Sequence, residues 1–296
     1  MDAAIRTRGL SKSYGHRPAL RDLDLEVPRG VVFGYLGPNG AGKTTTIRLL
    51  AGLIGPTSGS AQVLGFEVVD NCEEVQRRIG YLPGDFVAYP NLTVTQYLRY
   101  LSGLRGGVEP VAVDQLAKRF DLDLTARINT LSHGNKQKIG IVQAFMHHPE
   151  LLVLDEPTAG LDPIMQREFL ALLRETRDDG RTVFLSSHIL SEVEAAADTV
   201  GILRDGRLVV TQSVESLKSQ ALRRLDLTFA GPVPVDRLRQ APGVQEVSSD
   251  GPTTHVVVAG STAGLFRAAA PYDITNVVSH EVDLEAIFLD YYTAQR

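Results

Sequence analysis

The run Gly37-Pro38-Asn39-Gly40-Ala41-Gly42-Lys43-Thr44 satisfies the pattern G-x-x-x-x-G-K-[ST], with Thr45 directly behind it. Glycines in such a turn let successive backbone N–H groups face inward as an anion nest, and a helix that follows adds its positive N-terminal end. A triphosphate fits that cradle. Lys43 would bring a mobile cation to the β- and γ-phosphates, and the Thr44 hydroxyl an oxygen ligand for Mg²⁺. A second pair, Asp155 and Glu156, closes the apolar run LLVLDEP. A carboxylate that organises magnesium, followed by a base that positions an attacking water, has this arrangement. Two adjacent acids alone also fit a solvated pair, but the C-terminal end of a buried strand is a site position.

The elements around these residues suit the chemistry. Val31 to Gly37 (VVFGYLG) reads as a strand buried on both faces, and Lys43 to Leu53 as a helix, so the glycine-rich turn lies between strand and helix. Leu151 to Pro157 and Thr182 to His188 repeat the buried-strand signature, each followed by a helix-like segment, which predicts a parallel α/β core. Ahead of it, Ile5 to Val27 alternates as strands of an antiparallel β subdomain with one wet face. Thr93 to Phe120 reads as two helices separated by GLRGG, within a helical insert of about residues 86–147. Composition changes after Gln220, which predicts a division into 1–220 and 221–296. The tail reads β-α-β-β-α-β, the order of a small ferredoxin-like α+β domain. A last helix would align Leu284, Ile287, Phe288 and Tyr291 on one apolar face.

Composition bounds the function classes. In 296 residues, 43% hydrophobic and 22% charged, there is ordinary globular material for one larger domain and a modest second one. A net charge of −5 argues against broad nucleic-acid binding. No segment approaches a membrane-spanning run, and the first residues lack the apolar core of a secretory signal, so the chain is expected in the cytosol. Cys72 is the sole cysteine, leaving no internal disulfide and no cysteine zinc cluster.

Several further motifs follow in order: LSHGN at Leu131 to Asn135, LLVLDEP, AGLD at Ala159 to Asp162, then His188. With GPNGAGKTT, this series resembles the ATP-binding cassette (ABC) ATPases from Ile5 to about Ser219, a P-loop NTPase fold. The resemblance implies that Ser132 and Gly134, with the helix that starts near Asn135, face the γ-phosphate of a second subunit's ATP. It implies Asp162 at the subunit seam, His188 on the γ-phosphate and on Glu156, and Tyr14 stacked on adenine, although a lone tyrosine also serves as packing. Two departures stand out: His133 and Asn135 differ from the LSGGQ pattern, and Gly84 occupies the position where the family has glutamine or glutamate. Asp85 is then the candidate for the magnesium shell, with a solvated loop acid as the alternative.

The expected function is that of the ATPase subunit of an ABC-2 type exporter of drugs or antibiotics. IGYLPGD and the closing DLEAIFLDYY carry that resemblance. It implies ATP and Mg²⁺ as cofactors, a head-to-tail dimer with a second copy, and an ABC-2 type integral membrane permease as partner, at the cytoplasmic face of the membrane and without nucleic acid. The rival class is a soluble cassette ATPase of DNA repair or translation, which would show a long coiled-coil insertion or tandem cassettes. A small-molecule kinase shares the phosphate loop but has no need of LSHGN, AGLD and His188.

Overall fold

Leu23, Leu25 and Val27 are buried while Asp24 and Glu26 are exposed, and that alternation gives the first sheet its single wet face. In the computed structural model, which describes residues 3–220 and 222–280, the chain divides into two units, 1–212 and 213–296. The first begins with β1 (Ala3–Tyr14) and β2 (Arg17–Pro28), followed by β3 (Val32–Leu36) and α1 (Lys43–Leu50). Next come β4 (Ser58–Val63), β5 (Phe66–Glu67), α2 (Cys72–Arg78) and β6 (Ile79–Leu82). The insert supplies α3 (Val94–Leu104), α4 (Pro110–Arg119) and α5 (His133–Phe145). The core then resumes with β7 (Leu151–Asp155), α6 (Pro163–Asp178), β8 (Thr182–Ser187), α7 (Leu190–Ala196), β9 (Thr199–Arg204) and β10 (Arg207–Ser213).

One sheet is antiparallel, in the order β2-β1-β4-β5; the other runs β10-β9-β3-β8-β7-β6, with β9, β3, β8, β7 and β6 parallel. β3 and β7 are buried at every residue, as continuous apolar strands covered on both faces must be. Phe33 and Phe184 stack at 5.6 Å and 8° between β3 and β8, an aromatic contact of about 0.5–1.5 kcal/mol beyond its buried area. This order sets the C-terminal ends of β3, β8 and β7 side by side, and the glycine-rich loop, His188 and the Asp155-Glu156 pair follow those ends.

Thr93 starts α3 through a capping box with Gln96, and Gly106 and Gly107, at φ 84° and 105°, separate α3 from α4. The insert is tied back by charge. Arg119 of α4 pairs with Glu168 at 3.2 Å and Glu175 at 2.5 Å on α6. The Ile79 carbonyl, at the start of β6, accepts from Arg105 Nη2 at 3.4 Å and from His147 Nε2 at 3.1 Å. Burial, and then the Arg105 charge, push the His147 imidazole down from 6.5 to about 4.

The second compact unit opens with α8 (Val214–Gln220). β11 (Leu222–Phe229), α9 (Val235–Arg239), β12 (Val244–Asp250), β13 (Thr253–Ala259), α10 (Ala263–Ala269) and β14 (Ile274–Ser279) complete it. Its strands lie in the antiparallel order β12-β13-β11-β14, the split β-α-β of the ferredoxin-like fold. Leu225, Leu227, Phe229, Leu238, Val256, Val258 and Leu265 form its core. On its polar face the Asp226 carboxylate accepts from His255 Nδ1 at 2.6 Å and His280 Nε2 at 2.9 Å, and these bonds hold its carboxyl below the usual range. The apolar helix face expected at Leu284, Ile287, Phe288 and Tyr291 lies outside the described residues.

The His147 environment makes a prediction for stability. Because its folded value lies below the ordinary 6.5, the unfolded chain binds the proton first, so this site's contribution is full above about pH 6.5 and is lost toward pH 4. His147→Gln should flatten the fall in denaturant-unfolding stability of the first unit across that window. An unchanged slope would show that the imidazole does not resist protonation.

Candidate active site

Gly42 is the N-cap of α1 at φ 110°, and a Cβ there would stand 2.5 Å from the Ala19 carbonyl oxygen, so the turn into the helix requires glycine. Gly40, at φ 83°, is the second left-handed residue of the loop, and the Ala41 N–H closes a turn onto the Pro38 carbonyl at 3.1 Å. The first N–H groups of α1 have no partner within the helix and face outward at its start. Between this loop and the β1–β2 hairpin lies a cleft of ≈ 560 Å³, with Tyr14, Arg17 and Arg21 on the hairpin side and Asn39, Gly40, Lys43, Thr44 and Thr45 on the loop side.

Lys43 is only 6% exposed, so its ammonium needs partners. It donates to the Gly37 carbonyl at 2.6 Å and pairs with Glu156 Oε1 at 3.3 Å. The other oxygen of Glu156 accepts from His188 Nδ1 at 2.7 Å. Glu156 itself sits at φ 48°, a left-handed conformation that costs a non-glycine residue on the order of 1–3 kcal/mol. The surrounding bonds enforce it: the Glu156 N–H donates to both the carbonyl and the hydroxyl of Ser186, at 3.2 and 3.1 Å. Gln137, on α5, donates to the carbonyls of Pro157 at 3.0 Å and Glu156 at 3.4 Å.

Asp155 is 1% exposed, and its Oδ1 accepts from Ser186 Oγ at 2.6 Å. Its Oδ2 looks toward Gly84, where an added Cβ would come within 3.2 Å. Asp85, the next residue, is exposed and is not part of the cleft wall. Tyr81 stands nearby, its phenol raised first by burial and then by the Asp155 charge. Tyr14 is 49% exposed at the hairpin tip, with the Lys12 ammonium 5.5 Å from its ring centre.

The motif residues beyond the cleft form a second group. Ser132 caps α5 by accepting from the Asn135 N–H at 3.3 Å. A Cβ on Gly134 would strike the Gly160 carbonyl at 2.4 Å, and one on Gly160 would strike the His133 ring at 2.6 Å, so the LSHGN and AGLD turns touch with no room for larger residues. Asp162 caps α6, accepting from the N–H groups of Ile164 and Met165 at 3.0 Å each. None of Ser132, Gly134 and Asp162 lines the cleft that holds Lys43.

The structure thus joins Lys43, Glu156 and His188 directly and places Asp155 beside Glu156. It adds Ser186, Gln137, Arg17 and Arg21, which the motif reading did not name. Ser186 had a signal: a hydroxyl inside the apolar strand TVFLSSH must find a buried partner, and the β7–β8 register puts it across from Asp155. The cleft residues fit a triphosphate, because the loop offers left-handed glycines, outward N–H groups and a cation whose present partners a phosphate can replace.

Comparison with known proteins agrees with this geometry. Residues 20–159 match the family described as ABC transporter. Bacitracin transport ATP-binding protein BcrA of Bacillus licheniformis is 39% identical over 233 residues, spanning 78% of this chain and 76% of that protein. A solved ATP-binding subunit of an ABC transporter superposes with a TM-score of 0.67 at 32% identity, over 73% of this chain and 92% of that one. The dimeric structure of MJ0796, a bacterial ABC transporter cassette, gives 0.66 at 22% identity over 71% and 98%, a likeness of fold. With identity at this level sustained over most of both chains, and with the phosphate loop, the acid pair and His188 assembled at one sheet end, the chain belongs to the ABC transporter family and carries its ATP-binding, ATP-hydrolysing cassette.

Proposed function

We propose that this chain hydrolyses ATP to drive export of drugs or antibiotics through a separate membrane subunit of the ABC-2 type. The observation that carries the chemistry is the Lys43–Glu156–His188 constellation at the mouth of the phosphate loop. The export reading draws on the bacitracin-transport relative. Among the described residues no helix is long and apolar enough to cross a membrane, which accords with a partner supplying the path. The chain would work at the cytoplasmic face of the membrane, bound there through that partner.

The triphosphate would occupy the loop from Gly37 to Thr45, with the base against Tyr14. Lys43 then exchanges Glu156 for phosphate oxygens, and Glu156 is left to orient a water and take its proton. His188, bonded to Glu156, holds that carboxylate in line and presents its other ring nitrogen toward the γ-phosphate. Thr44 and Asp155 are the residues that would hold Mg²⁺, with Asp85 the next carboxylate along the neighbouring loop; the ion supplies charge neutralisation to the phosphates. Because Ser132 and Gly134 lie outside the cleft, a second copy arranged head to tail supplies them to the γ-phosphate, with Asp162 at the subunit seam, and the N-terminus of its α5 stabilises charge there. Residues 1–220 would be the nucleotide-binding domain and 221–296 an accessory domain. No observation favours a DNA-repair or translation role.

Glu156→Gln should still bind nucleotide and slow hydrolysis by about 10²- to 10⁴-fold, the usual worth of a positioned base. In cells that express the chain with its membrane subunit, the same substitution should abolish drug efflux. Near-normal turnover of the purified variant would assign the water to another group.

Gly42→Ala should remove nucleotide binding measured by calorimetry without unfolding the second unit, since the added methyl meets the Ala19 carbonyl and the residue must keep φ 110°. Wild-type affinity would contradict the loop assignment.

Ser132→Arg should still bind ATP yet fail to form the ATP-dependent dimer by light scattering. A normal dimer with normal turnover would mean that each subunit hydrolyses alone.

A further inference from the structure

Glu192 lies on α7, outside the wall of the nucleotide cleft, and is 7% exposed. Such a carboxylate is costly to bury unless donors surround it. Its Oε2 accepts from Thr158 Oγ1 at 2.7 Å and from Ser187 Oγ at 3.1 Å, while its Oε1 is buried with no partner. Both donors are themselves buried, at 4% and 1% exposure. Their positions give the arrangement its meaning: Thr158 stands two residues after Glu156, and Ser187 immediately precedes His188. Ser187 Oγ also accepts from the Ile189 N–H at 2.9 Å, so the backbone on both sides of His188 is tied to the same hydroxyl.

We propose that Glu192 is a positioning residue of the hydrolytic site, which sets the separation of Glu156 and His188 by bracing the two loops that carry them. This rests on the assignment of Glu156 and His188 made above. One carboxylate oxygen accepts from both hydroxyls, so the loop after β7 and the end of β8, where His188 follows, meet at a single atom, although the Ser187 hydroxyl also reaches the Ile189 carbonyl at 3.3 Å. A carboxylate suits the post because it accepts from both hydroxyls and donates to neither. The amide of Gln has one acceptor oxygen and one donor nitrogen, and an Asp is shorter by one methylene. Either change loosens one loop against the other without touching the nucleotide cleft, whose wall does not include Glu192, Thr158 or Ser187.

The test is steady-state ATP hydrolysis by the full-length chain, with melting temperature and nucleotide affinity measured beside it. Glu192→Gln and Glu192→Asp should each lower kcat by about tenfold or more, the scale on which small misplacements act, with KM for ATP unchanged. Thr158→Val together with Ser187→Ala should reproduce that loss, and adding Glu192→Gln to the pair should change kcat by no more than about twofold, as groups acting as one unit do. Full activity in Glu192→Gln, a loss that adds in full to the hydroxyl pair, or a loss that appears in KM would overturn the proposal. Glu156→Gln serves as the control: if it turns over normally, the assignment of the base fails, whereas an inactive Glu156→Gln beside a fully active Glu192→Gln defeats the bracing role alone.

Discussion

A buried ammonium has to be neutralised. Lys43 is almost fully enclosed at the first turn of α1, and an uncompensated cation there would cost several kcal/mol. Its two partners, the Gly37 carbonyl and the Glu156 carboxylate, come from the ends of two different strands, so the charge balance of one side chain fixes how the glycine-rich loop sits over β7. Through Glu156 the same network reaches His188 after β8. The parallel order of β3, β8 and β7 makes this possible, since it brings to one edge three loops that lie between residues 37 and 188 of the sequence.

Glu156 bears the conformational cost of that network. A left-handed backbone at a glutamate is unfavourable on its own, yet it turns the side chain toward Lys43 and His188. The conformation is held by bonds the side chain does not make: Ser186 takes the Glu156 N–H, and Gln137 reaches its carbonyl from α5. Gln137 thereby links the helix that begins with the LSHGN turn to Glu156.

Local features were legible in the sequence for physical reasons. The glycine-rich loop needs only its own residues to form a nest. The apolar runs at Val31 and Leu151 have nowhere to go but the middle of a sheet. Gly106 and Gly107 separate α3 from α4, and the tail's β-α-β-β-α-β order allows few sheet arrangements. What depends on register was not legible. Nothing in the string pairs Ser186 with Asp155, sets Gly84 rather than Asp85 against that carboxylate, or brings Arg17 and Arg21 to the far wall of the cleft. Those contacts arise from how strands align, and a shift of one residue would abolish each of them.

The central claim is that nucleotide competes with Glu156 for Lys43. Calorimetry with a non-hydrolysable ATP analogue tests it directly, comparing the wild-type chain with Glu156→Gln under identical salt. If the ion pair at 3.3 Å must open before phosphate binds, removing the carboxylate's charge should tighten binding. Lys43 and Glu156 are only 6% and 22% exposed, so the pair is little screened and its loss should change Kd by about fivefold or more. Equal or weaker binding by Glu156→Gln would contradict the account, because Lys43 would then have been free to receive the nucleotide all along.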